Sequence, residues 1–162
     1  MLNASFIRAS ATAFGLAVAL SSPIATVAFA ADTESTPVQN ARIDDYAAGK
    51  AAVDAKNWSK AAEHFKKVVA QDPKNADGWN MLGYSSRWMG KIDEAFAAYG
   101  KALALQPNHK GANQYIGVAY LKTNDLPKAE AQLAKLDSIC GQSCEEYKSL
   151  AKAISEFKAS KG

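Results

Sequence analysis

Between residues 76 and 109 the apolar and small side chains fall on two helical stripes with a short polar turn between them. Leu82 and Gly83 follow Trp79 by three and four residues in the first half, and Ala95, Tyr99 and Ala102 stand four and three residues apart in the second. That is the spacing of one buried helix face. Gly90-Lys91 separates the halves, and Gln106-Pro107-Asn108 closes the second. The same pattern returns 34 residues earlier in Gly49, Ala61, Phe65, Val68 and Pro73, and 34 residues later in Ile116, Gly117, Ala129, Leu133 and Leu136. A helical hairpin cannot bury such a stripe alone, so a fixed period of this length predicts hairpins stacked on one another.

The first hairpin, residues 42–75, has a helix over 43–55, a turn at Lys56-Asn57 and a helix over 58–71 stopped by Asp72-Pro73. Asp45 and Ala48 occupy places that are large and apolar in the middle hairpin, as suits an outer layer with no neighbour before it. The middle hairpin places helices over 76–89 and 92–105. The third begins at Lys110, turns at Asn124-Asp125 and resumes with Pro127 in a first helical turn, where its missing N–H does no harm. Where Pro73 and Pro107 stand, the third offers Gly141 between Cys140 and Cys144. Ser143 and Glu146 then have capping-box spacing for a last helix carrying Tyr147, Leu150, Ala151, Ile154 and Phe157 on one face.

This length, with Trp79, Leu82-Gly83, Ala95, Tyr99 and Pro107 in that order, resembles the tetratricopeptide repeat family. The resemblance implies an all-α fold: an α-solenoid of three tetratricopeptide repeats, at 42–75, 76–109 and 110–143, with a C-terminal capping helix at 144–162. It also implies that the first helices of the repeats line a concave groove, which assigns Tyr46, Lys50, Asn80, Tyr84, Arg87, Trp88, Gln114, Tyr115 and Lys122 to its face. Aromatics interleaved with Lys50, Arg87 and Lys122 suit a peptide or protein bearing acidic groups or a free C-terminal carboxylate. The alternative for Tyr84, Trp88 and Tyr115 is packing between adjacent first helices. The carboxylate clamp by which some members bind chaperone tails does not carry over, because its places hold Tyr46, Lys50, Met81, Gly111 and Tyr115.

Residues 1–30 stand outside the repeat. Arg8 precedes a short apolar run, Ser21-Ser22-Pro23 interrupts it, and Ala28-Phe29-Ala30 has the small-x-small form of a signal-peptidase site. These features predict an exported chain, cleaved after Ala30, without a membrane span thereafter and placed in a periplasm. Residues 31–41, rich in polar residues, predict a disordered lead-in.

The net charge of +3 comes from interspersed signs, so no nucleic-acid footprint is indicated. Lys67, Lys101 and Lys135 recur at one place of the frame and read as a solvated outer face. His64 and His109 are isolated and read as surface histidines, not metal ligands. No phosphate loop, metalloprotease motif or nucleophile elbow is present, so neither an enzyme nor a cofactor is expected. In an exported chain Cys140 and Cys144 predict a disulfide that staples the last helix, contributing about 2 kcal/mol by the chain-entropy model. The alternative is a thiol redox or metal-carrier protein using the same pair. The functional expectation is a non-enzymatic scaffold of the cell envelope that binds a partner in its groove.

Overall fold

The computed structural model describes residues 37–161. The predicted signal segment, with 31–36 of the lead-in, lies outside the described residues. Among those described there are seven helices and no strand: α1 (Pro37–Asp54), α2 (Trp58–Gln71), α3 (Ala76–Trp88), α4 (Ile92–Leu105), α5 (Lys110–Lys122), α6 (Leu126–Cys140) and α7 (Glu145–Ala159). None is long and apolar enough to cross a membrane. Pairs α1/α2, α3/α4 and α5/α6 form the hairpins, α2 packs on α3 and α4 on α5, and α7 packs on both α5 and α6. The chain is a helical solenoid of three layers with a terminal helix.

The three turns share one backbone. Lys56, Gly90 and Asn124 stand at the same place in the frame and all adopt left-handed φ, at 55°, 76° and 58°. Glycine and asparagine take that conformation readily, whereas lysine is strained there by roughly 1 to 2 kcal/mol. Asn57 and Asp125 follow as helix caps, their side chains accepting from the backbone N–H of Lys60 and Lys128.

Ala61, Ala95 and Ala129 are fully buried, and the glycines of the repeats' first helices, Gly49, Gly83 and Gly117, each meet a large side chain. A Cβ at Gly49 would stand 2.8 Å from the Phe65 ring and one at Gly83 would stand 2.6 Å from the Tyr99 ring. One at Gly117 would stand 2.6 Å from Leu150 of α7. The close approach is therefore between a glycine and a large side chain lying flat on it. The alanines pack beside that contact.

Two expectations are corrected. Helix α1 begins at Pro37, so residues 37–41 are helical, not disordered. Proline at the first helical position loses no intrahelical hydrogen bond, and the Gln, Ala and Arg that follow favour helix. At the other end, Ser143 and Glu146 form no capping box, because α7 starts one residue later than the frame requires, with Cys144 as its N-cap and no side-chain cap bond. Helix α6 is correspondingly one residue longer than α2 and α4 and ends at Gly141, whose φ of 73° turns the chain.

Candidate protein-binding groove

Asn80, Tyr84, Arg87 and Trp88 lie on one face of α3, spaced four, seven and eight residues along it, and Tyr115 of α5 meets them. The Tyr84 and Tyr115 ring centroids are 4.8 Å apart, and Trp88 stands edge-on to Tyr84. Trp58, the first residue of α2, completes the cluster by stacking on Trp88 at 5.1 Å with 12° between planes, and it also meets Tyr84 edge-on. The repeat pattern does not single out Trp58, because Ile92 and Leu126 hold that place in the other repeats and the position reads as a helix boundary. The available signal was its size, since a tryptophan exceeds what a boundary needs.

Arg87 is the charged member. Its guanidinium lies 5.3 Å from the Tyr84 centroid and 5.1 Å from that of Trp88, within cation–π range. Among the described residues no carboxylate pairs with it. Arg87 Nε and Asn80 Oδ1 are buried without a hydrogen-bond partner among the described residues, and the buried Tyr99 hydroxyl has none there other than the neighbouring Arg87 guanidinium. Burial pushes the Tyr99 hydroxyl far above its ordinary value of 10.0, against the pull of the neighbouring Arg87 cation. Burial raises Tyr115 as well, with Tyr84 adding to the rise and Arg87 opposing it. Both phenols are therefore neutral at physiological pH, and Arg87 gives the cluster its formal charge. Half of Trp88 remains in solvent, so the cluster has an open aromatic lip over a partly buried cation.

The structure thus brings together Tyr84, Arg87, Trp88 and Tyr115 of the residues assigned to the groove. Asn80 shares their helix face but is buried, close enough to α5 that a Cβ on Gly111 would stand 3.3 Å from its Nδ2. Tyr46 packs edge-on against Phe65 in the first core, at 5.6 Å between centroids. Lys50 is exposed on α1. Gln114 donates to Ser149 Oγ of α7 at 2.8 Å, and Lys122 is exposed in a cleft against Phe157 of α7.

The histidines are structural partners, not isolated surface groups. His64 Nδ1 lies 3.0 Å from Asp45 Oδ1, which accounts for a carboxylate at that place of the first repeat. His109 caps α5 by accepting from Ala112 N–H through Nδ1, while its Nε2 lies 2.9 Å from Asp77 Oδ1. The ring proton must then sit on Nε2, and Asp77 accepts it. A disulfide joins Cys140 to Cys144, and one Glu146 carboxylate oxygen lies with the two sulfurs inside a 4.8 Å group.

Comparison with known proteins decides the lineage of this architecture. Tetratricopeptide repeat family models match residues 46–87 and 89–154. The chain is built of tetratricopeptide repeats. The chain is 38% identical over 61 residues to a tetratricopeptide repeat-containing protein of Pseudomonas aeruginosa, covering 38% of this chain and 58% of that one. It is 38% identical over 64 residues to a general transcriptional corepressor of Dictyostelium discoideum, covering 40% of this chain and 5% of that one. It therefore spans less than two thirds of either relative. Among solved structures, the tetratricopeptide domain of Arabidopsis OM64 superposes with a TM-score of 0.67 at 18% identity, covering 74% of this chain and 98% of that one. The Yersinia enterocolitica type III secretion chaperone SycD, in complex with a peptide of the translocator YopD, superposes with a TM-score of 0.65 at 16% identity, covering 76% and 96%. At these identities the likeness establishes the tetratricopeptide fold alone.

Proposed function

We propose that the protein is a non-enzymatic adaptor that holds a peptide or protein partner on the concave side of its middle repeat. The observation that carries this reading is the unpaired Arg87 under the exposed Trp88 lip. A partly buried guanidinium with no carboxylate beside it among the described residues is costly unless something anionic completes it, and a carboxylate can do so bidentately. The aromatic rings around it give large, rigid contact area, the kind of side chain that dominates interface energetics. The partner is one whose acidic side chain or C-terminal carboxylate reaches Arg87 while an apolar neighbour covers Trp88. Tetratricopeptide domains of the same fold include one that holds a translocator peptide, which supports a groove-bound segment in kind. Lys50 would add charge at the N-terminal end of the groove.

Replacing both Arg87 and Trp88 by Ala should abolish co-purification of the partner while the helical circular dichroism stays unchanged. Full recovery of the partner with the double variant would assign both residues to packing. The setting we propose is the cell envelope, after export and cleavage behind Ala30; a mature N-terminus at Ala31 supports it and a retained Met1 refutes it.

The thiol-carrier reading has the Glu146 carboxylate beside both sulfurs in its favour. A bonded pair offers no thiolate to a metal, so that reading requires free thiols in protein taken from its own compartment.

A further inference from the structure

The junction between the first two repeats holds an open apolar cleft of about 310 Å³ between α2, α3 and α4. Trp79 and Leu82 of α3 line it together with Ala97 and Ala98 of α4. The Trp79 ring is fixed there by its Nε1–H donating to Pro73 O at 2.9 Å. Ser86 also lines the cleft; it is fully buried, and its hydroxyl has no partner among the described residues. The volume falls within the range of small-molecule sites, which are mostly apolar with a few placed polar groups.

The repeat frame explains why the cleft exists here. Ser86 and Ala62 occupy the places that one junction later belong to Tyr120 and Phe96. Those two rings pack together at 4.9 Å, with Lys128 over the Tyr120 face. Two small residues at the first junction stand where two aromatic rings fill the second.

The rim sets the ligand's charge. Lys66 and Lys101 border the cleft, and among the described residues neither makes an ion pair. Glu94 is there too, but Lys91 holds its carboxylate at 3.3 Å. A hydrocarbon-walled cleft with two free ammonium groups at its mouth complements a molecule with one apolar tail and one anionic end. We propose that this cleft binds a single-chain anionic amphiphile, its acyl tail against Trp79 and Leu82 and its carboxylate between Lys66 and Lys101. The site uses a different face of α3 from Arg87, about a quarter turn round the helix, and does not depend on the groove reading.

Decanoate titrated into the full chain by calorimetry tests this. Saturable one-to-one binding is expected. Lys66→Gln with Lys101→Gln should weaken decanoate at least about tenfold, the worth of a charge-assisted contact, while decanol binding stays unchanged. Ser86→Tyr, which copies the second junction, should abolish binding. Because Ser86 is buried and that variant can unfold, Ala97→Trp closes the cleft from an exposed position and should abolish it with unchanged helicity. Absence of saturable decanoate binding would overturn the proposal, as would binding that survives Ala97→Trp or ignores the two lysines.

Discussion

In the first and middle repeats the ring that lies on the glycine of the repeat's first helix comes from the same hairpin, Phe65 on Gly49 and Tyr99 on Gly83, whereas in the third it is Leu150 of α7 that covers Gly117. The frame shows the cause. Leu133 stands in the third repeat where Phe65 and Tyr99 stand in the others, and it is partly buried beside Leu136, Leu150 and Ile154. Leu133 supplies none of the atoms nearest a Cβ at Gly117, which belong to Leu150 and Gln132. The first two hairpins therefore close on their own aromatic residues, while the third is completed from outside. Helix α7 is thus a component of the third repeat's core as well as its cover.

The largest test removes the borrowed side chain. Leu150→Ala leaves a cavity over Gly117 and should destabilise the chain by about 2 to 5 kcal/mol in urea unfolding, with the loss of amide protection concentrated in α5, α6 and α7. Equal loss of protection in α1 and α2 would erase the distinction between the hairpins. Reducing the Cys140–Cys144 disulfide is the next largest. It frees the entry to α7 and should lower stability by about 2 kcal/mol by the chain-entropy model, again at the C-terminal end, without changing partner affinity. A large loss of partner affinity on reduction would tie the disulfide to the groove. The smallest effect belongs to the self-closed side. Lys56→Gly relieves a left-handed turn in the first hairpin and should raise stability by about 0.5 to 1 kcal/mol, whereas Asn124→Gly should change it less. A Lys56→Gly variant no more stable than its parent would mean that the turn is unstrained.

Much of this layout was legible in the residues because a period constrains every copy at once. The bounds of α2 and α4 follow from Trp58 to Asp72-Pro73 and from Ile92 to Pro107, where proline and the turn residues set hard stops. The start of α1 was not legible, since polar residues near Pro37 carry no periodic stripe. The slip of α7 to a Cys144 cap was hidden because Ser143 and Glu146 satisfy a local signal that the longer α6 overrides. At the groove, the face of α3 came from the frame. Trp58 did not, because a contact between residues thirty apart depends on how α2 meets α3 and leaves no mark in a single helix's spacing. The pairing of Asp45 with His64 was missed for the same reason.

The most direct measurement places a photo-crosslinking amino acid in the full chain, once at Lys50, which the repeat frame assigns to the groove, and once at Lys135, which it assigns to a solvated outer face, and compares the adducts formed in cells. A partner held on the middle repeat's concave side predicts an adduct from position 50 that disappears when Arg87→Glu is added, and none from position 135. The same adduct from both positions, indifferent to Arg87→Glu, would contradict it.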